Sequence, residues 1–177
     1  MKKSLLVVLL ILFPLASHAS GGFAALSYSF SAVEPSQSSR SAKVNALQFS
    51  FGSWLNAQRT LGAEVRAGLG INKDRIRLRD NSRIDIEIDR YYGGYVRAQF
   101  PDTLPIRPYG LLGLTRVETT ERSDEGDRSR SYGDISLGLG AEATIDHNVF
   151  VTVEYLRAVD RNTREISNIT LGIGGRF

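Results

Sequence analysis

Beyond position 20 the chain alternates apolar and polar residues with a period of two, in one segment after another, and this limits its fold more than any other feature. Successive side chains of a strand point to opposite faces, so alternation marks strands with two unlike faces. Leu26, Tyr28 and Phe30 stand against Ala25, Ser27, Ser29 and Ser31, and Leu47, Phe49 and Phe51 against Gln48, Ser50 and Gly52. Leu61 to Ile71 alternate with Gly62, Glu64, Arg66, Gly68 and Gly70, and Val96, Ala98 and Phe100 with Tyr95, Arg97 and Gln99. The stretches 135–145, 149–155 and 169–177 repeat the pattern. A further strand runs from about Arg107 to Thr119, but Leu111, Leu112 and Leu114 leave its facing open. The total is eight strands, with no helical stripe among them.

The character of the two faces decides the solvent. A soluble barrel or sandwich turns its apolar face inward. In a barrel set in lipid the faces are exchanged. The polar faces here are crowded with Gly and Ser plus a few Glu and Arg, which suits a narrow, filled lumen. Phe23, Phe51, Trp54, Phe100, Tyr109, Phe150 and Phe177 gather near one set of strand ends and are expected to form an interfacial girdle. The connections alternate in length: Ala32–Lys43, Asn72–Arg83 and Glu118–Ser131 are long, Trp54–Arg59, Pro101–Ile106 and Asp146–Asn148 short, and Asp160–Glu165 intermediate. External loops and periplasmic turns alternate in this way. The predicted fold is all-β, an eight-stranded antiparallel up-and-down transmembrane β-barrel, with both termini on the periplasmic side. A soluble lipocalin-like barrel is the alternative.

The N-terminus agrees with export. Lys2 and Lys3 precede the apolar run Leu5 to Leu15, and Ala16-Ser17-His18-Ala19 follows as a small-residue cleavage site. The run is too short for a membrane helix, which needs about 20 residues. Residues 1–19 are therefore expected to be a cleaved signal peptide and residues 20–177 the barrel. Losing the two lysines leaves twenty basic residues against nineteen acidic ones, so the formal +3 of the whole chain falls to +1. A nucleic-acid partner loses its electrostatic basis. With no cysteine, the chain has no disulfide framework, thiolate metal site or cysteine nucleophile.

The C-terminal run Ile169-Thr-Leu-Gly-Ile-Gly-Gly-Arg-Phe177 resembles the signature by which outer-membrane barrels are handed to the barrel-assembly machinery, with Phe177 as the assembly signal. Arg107-Pro-Tyr-Gly-Leu-Leu-Gly113 and Gly138-Leu-Gly-Ala-Glu142 look like motifs of small opacity-type and OmpA/OmpX-like outer-membrane proteins. The resemblance implies the cell outer membrane as location, with its lipid and lipopolysaccharide as surroundings. It implies little about activity, because that family holds adhesins, serum-resistance factors and members without an assigned role.

Five charged residues fall on predicted inward faces: Glu64, Arg66, Arg97, Glu142 and Glu154. Buried charges must pair, so a hydrogen-bonded lumen network that fixes the barrel is expected. The other reading is a gated polar channel. In the second long connection Arg75, Arg77 and Arg79 alternate with Ile76 and Leu78, and Asp85, Glu87 and Asp89 with Ile84, Ile86 and Ile88. A turn centred near Ser82 sets each arginine opposite an acid in a ribbon projecting beyond the membrane. Parity must then flip near Asn72-Lys73-Asp74, which a bulge accomplishes. Such a ribbon offers an edge for strand addition by a host or surface protein. The connection 72–83 holds five basic residues and two acids, and arginines suit lipopolysaccharide phosphates; 118–131 holds five acids and three basic residues.

Catalysis finds little support. After export His147 is the only histidine, in the short turn Asp146-His147-Asn148, where turn chemistry explains it. The resembling lipid deacylases and proteases keep theirs at the external end. H-E-x-x-H and G-x-S-x-G are absent, and no cofactor is implied. The expected function is non-catalytic: surface loops for adhesion, envelope integrity, or host or lipopolysaccharide contact. The rivals are a narrow pore for small solutes and a lipid-modifying enzyme.

Overall fold

A computed structural model describes residues 21–33, 42–77, 83–101, 103–123, 126–159 and 166–177. The expected signal peptide lies outside these residues. Nine strand segments follow in order: β1 Gly22–Val33, β2 Ala42–Trp54, β3 Leu61–Gly70, β4 Lys73–Arg77, β5 Arg83–Gln99, β6 Ile106–Ser123, β7 Gly126–Thr144, β8 Val149–Val159 and β9 Ile166–Arg176. Each pairs antiparallel with its neighbours, β3 with β5 and β9 with β1, so eight of them close a barrel. The ninth segment, β4, continues β3 past a break at Ile71 and Asn72 and pairs only with β5.

Parity becomes facing as expected for lipid. Leu26, Phe49, Val96, Leu112, Leu139 and Ile173 are exposed on the outside, while Ser27, Gln48, Glu64, Arg97, Glu142 and Thr170 are buried within. An apolar outer wall around a polar interior is stable only where hydrocarbon replaces water. The strand left open by the sequence resolves with odd positions inward: Arg107, Tyr109, Leu111, Thr115 and Val117 are buried, and Leu112 and Leu114 face out. Leu111 and Val117 are aliphatic residues on that lumen face, and Leu111 clusters with Tyr95, Tyr109 and Leu156.

The expected aromatic girdle needs correction. Phe51, Phe100 and Phe177 are 47%, 58% and 68% exposed on the outer wall, as a girdle requires. Phe23, Trp54, Tyr109 and Phe150 are 2%, 1%, 4% and 1% exposed, and they fill the lumen. These four stand on inward parity, and proximity to a strand end does not distinguish a plug from a girdle. Glycines make the room: a Cβ at Gly52 would overlap the Phe23 ring, and one at Gly140 the Tyr109 ring.

The short connections at 55–60, 100–101 with 103–105, and 145–148 share one end of the barrel with both described ends of the chain. There the amide of Gly22 donates to the carbonyl of Phe177 at 2.7 Å and the amide of Phe177 donates to Gly22 at 2.9 Å. Asn56 shapes the first turn, its Oδ1 accepting from the amides of Thr60 at 2.9 Å and Leu61 at 3.1 Å.

At the other end the expected long loops are partly strand. β5, β6 and β7 run 17, 18 and 19 residues, against 10 to 11 for β3, β8 and β9. A strand crosses a bilayer in about 9–11 residues. β8 pairs with β7 only from Ile135, whereas β6 and β7 stay paired up to Ser123 and Gly126. The described parts of the segments assigned to the loops 72–83 and 118–131 therefore build a β4–β5–β6–β7 sheet that continues past the rim.

Candidate functional site

Two regions concentrate chemistry-bearing residues, the lumen and the projecting sheet. All five charged residues assigned to the lumen lie inside the wall, and the structure brings them together. Arg66 on β3 donates through Nη2 to Oε2 of Glu154 on β8 at 2.8 Å and through Nε to Glu64 at 2.6 Å. Arg97 on β5 donates through Nη2 to Oε2 of Glu142 on β7 at 2.7 Å, and its Nη1 lies 3.8 Å from Glu64. The two halves of the network thus meet at Arg97 and Glu64.

Sequence reasoning did not count Arg107, Arg176 and the tyrosines among these residues. Arg107 and Arg176 both donate to Oε1 of Glu142, so three guanidiniums converge on one carboxylate. Tyr109 donates to Glu154 at 2.9 Å, Tyr91 donates to Gln48, and Tyr95 shares a 2.6 Å hydrogen bond with Thr115. Parity counted back from Arg97 reaches Tyr95 and Tyr91, and parity counted along 169–177 reaches Arg176. Arg107 was hidden by the three leucines that blurred its strand.

Rings close the gaps between these polar groups. The Arg97 guanidinium lies 3.8 Å from the Tyr109 ring centroid and 5.3 Å from that of Phe23, and Arg176 lies 5.0 Å from Phe150. Phe23 packs on Trp54 at 5.2 Å and on Phe150 at 6.4 Å. Planar guanidiniums stacked on rings keep their in-plane hydrogen bonds, which is why arginine rather than lysine suits this interior. A cavity of about 10 Å³ is left among Ser27, Gln48, Arg66, Glu154 and their neighbours. One water needs roughly 10–15 Å³. This cavity does not admit a file of hydrated solutes.

The ribbon's register differs from expectation. Arg75 pairs with Asp85, Ile76 with Ile84, Arg77 with Arg83 and Lys73 with Glu87. The expected register set Arg75 opposite Asp89 and Arg77 opposite Glu87; the observed one is centred two positions earlier. Each partner shifts by four residues, an even number that preserves parity, so the alternating pattern alone does not distinguish the two registers. Asp89 falls at a bulge between Ile88 and Arg90 in the β5–β6 ladder, and Arg79 lies outside the described residues. The flip expected near Asn72-Lys73-Asp74 falls where β3 and β4 are separated at Ile71 and Asn72; the register shift between Ile88 and Arg90 is not expected from the alternation.

The register also places Arg75, Asp85, Arg122 and Asp127 in one row across β4, β5, β6 and β7, alternating in sign. Nearer the membrane Arg90 donates to Glu118 at 2.7 Å across β5 and β6, and Arg116 to Ser131 at 2.7 Å across β6 and β7. Opposite charges paired across strands favour this sheet over its slipped alternatives. The pair Arg77–Arg83 breaks the rule, with like charges in direct register.

His147 stands in its exposed turn with Nδ1 3.0 Å from Asp146 Oδ1, and this contact with the His147 side chain, then its backbone amide, holds Asp146 below the usual carboxylate range. Among the described residues no group of three His, Cys, Asp or Glu side chains is arranged to hold a metal ion.

Comparison with known proteins agrees with this geometry. Ail, the attachment invasion locus protein of Yersinia pestis, is similar in structure with a TM-score of 0.64 at 19% identity, over 89% of this chain and 98% of that one. Neisserial surface protein A gives a TM-score of 0.65 at 15% identity, over 88% and 97%. The N-terminal β-barrel domain of Pseudomonas aeruginosa OprF gives 0.56 at 14% identity, over 86% and 97%. No curated protein matches the chain. The family model for the outer membrane protein beta-barrel domain matches residues 5–177. The chain belongs to that family of outer-membrane β-barrels, and its place is the outer membrane.

Proposed function

We propose that this barrel works at the cell surface as a non-catalytic recognition protein, using the β4–β7 sheet to contact polyanionic saccharide such as the phosphorylated core of lipopolysaccharide or a sulfated host glycan. The observation that carries the reading is the continuation of four strands past the rim, where membrane spanning has no use for them. Its outermost described pair on β4 and β5 is Arg77–Arg83, two cationic residues at paired backbone positions, a like-charge pairing that an anionic ligand would relieve. A crystal structure of Ail, 18% identical with a TM-score of 0.62, is a complex with the heparin analogue sucrose octasulfate, which supports the ligand class. The ion-paired, ring-packed lumen speaks against a solute pore.

The test is titration of folded barrel in phospholipid nanodiscs with heparin-derived oligosaccharide and, separately, with purified lipopolysaccharide. Salt-sensitive binding to either, weakened about tenfold or more by Arg77→Glu with Arg83→Glu, is expected. Binding that is absent for both, or indifferent to the double charge reversal, would falsify the proposal.

A further inference from the structure

The outer wall changes chemistry abruptly over β5 and β6. Strand β6 enters the wall at Ile106 and β5 leaves it at Gln99, and a crossing of about 9–11 residues from those ends finishes at Arg116 and Arg90. Below that level the outward positions Val96, Leu112, Leu114, Ile135 and Leu137 are exposed and apolar. Arg116 continues the outward series of Leu112 and Leu114, and Arg90 that of Val96. Both arginines are exposed, so their side chains leave the wall on the lipid side.

The register makes the two arginines diagonal neighbours. Arg90 pairs with Glu118 and Tyr92 with Arg116, and diagonal positions of this kind lie about 7–8 Å apart. Each guanidinium is oriented through its Nε: that of Arg90 donates to Glu118 Oε2 at 2.7 Å, and that of Arg116 to Ser131 Oγ at 2.7 Å. Among the described residues no carboxylate pairs with Arg116, and its two Nη groups remain available as donors. Leu114, one outward step below Arg116, pairs with Gly94, where an added Cβ would meet nothing within 4 Å, so the wall is open beside the arginine. A lone exposed arginine is ordinarily a solvated one. Here the barrel sets the surroundings: outer-leaflet lipid lies against this wall, and hydrocarbon gives way to headgroups at this depth.

We infer that Arg90 and Arg116 clamp a phosphomonoester of an outer-leaflet glycolipid, the lipid A part of lipopolysaccharide, whose acyl chains lie along Leu112, Leu114, Ile135 and Leu137. A phosphomonoester carries nearly two negative charges at neutral pH, and its oxygens match the paired N–H groups of a guanidinium. Glu118 offsets part of the Arg90 charge, so Arg116 makes the main contact. The site lies on the wall at membrane level, on residues other than Arg77 and Arg83, and does not rest on the surface contact proposed above.

The measurement is the temperature at which folded barrel in detergent micelles converts to its unfolded gel mobility, with diphosphorylated lipid A, with lipid A stripped of phosphate, or with inorganic phosphate added. Lipid A lacks the core saccharide, which separates this site from the projecting sheet. Diphosphorylated lipid A is expected to raise the temperature by about 5 °C, since a ligand of the folded state stabilises by mass action, and the other two additions to leave it unchanged. Arg90→Gln with Arg116→Gln is expected to abolish the rise, and Arg116→Lys, which keeps the charge but loses the fork, to retain part of it. Arg77→Glu with Arg83→Glu is expected to keep it whole. An equal rise with phosphate-free lipid A or with inorganic phosphate overturns the inference. So does a full rise in the Arg90, Arg116 double variant, or its loss in the Arg77, Arg83 double variant.

Discussion

Arg66 and Glu154 join opposite walls of the barrel. β3 and β8 lie four strands apart in a ring of eight, and Nη2 of Arg66 reaches Oε2 of Glu154 at 2.8 Å across the lumen. Backbone ladders tie only neighbouring strands, so this ion pair supplies a cross-brace the ladders do not. Arg97 and Glu142 act similarly, linking β5 and β7 past the intervening β6.

Breaking the brace on one side is costly because it leaves a buried charge. Glu154→Gln is expected to destabilise the folded barrel by about 3–5 kcal/mol. Arg66→Met with Glu154→Leu removes both charges and is expected to recover most of that loss. Urea unfolding in detergent micelles measures both. Equal losses for the single and double variants would mean the pair is only packing.

The aromatic plug depends on missing side chains. Gly52→Val drives a side chain into the Phe23 ring, and overpacking of this kind costs about 1–3 kcal/mol. Trp54 is the only tryptophan and packs on Phe23, so its fluorescence reports the change. The emission of the variant is expected to shift to the red as water reaches the periplasmic mouth. Unchanged emission in a folded variant would place Phe23 elsewhere.

The like-charge pair on the ribbon separates stability from recognition. Arg83→Glu turns Arg77–Arg83 into a complementary pair, expected to stabilise the β4–β5 hairpin by about 0.2–1 kcal/mol and to slow amide exchange of its backbone. The same change is expected to weaken binding of sulfated oligosaccharide. A variant that gains both protection and affinity contradicts the role given to this pair.

How much of this was legible in the sequence follows from what a period of two encodes. Parity specifies face, so Glu64, Arg66, Arg97, Glu142 and Glu154 were assignable to the lumen from alternation alone. Parity does not specify register, so the pairing of Arg75 with Asp85 rather than Asp89 emerged only from the fold. Nor does it separate a girdle ring from a plug ring near a strand end, which is why Phe23, Trp54, Tyr109 and Phe150 were misplaced. Arg107 was lost where Leu111 occupies an inward position among outward leucines. Its burial beside Leu156 depends on a strand distant in sequence.

Phe177 is held at the seam between first and last strands, where its amide and carbonyl pair with Gly22 and its ring lies 5.9 Å from that of Phe51. We propose that this residue also serves as the assembly signal. Phe177→Ala is then expected to lower folded barrel in cell outer membranes several-fold while refolding from urea into micelles proceeds with similar yield. Equal losses in both settings would reduce the residue to a seam contact.

The central claim is that the lumen is closed by its own side chains and that function resides on the projecting sheet. Single-channel recording of purified, folded barrel in planar bilayers tests it most directly. No discrete, reproducible openings are expected for the wild-type protein, with openings emerging when Arg66, Glu154 and Tyr109 are truncated together. Stable unitary currents from the wild-type barrel would contradict the account and make it a pore.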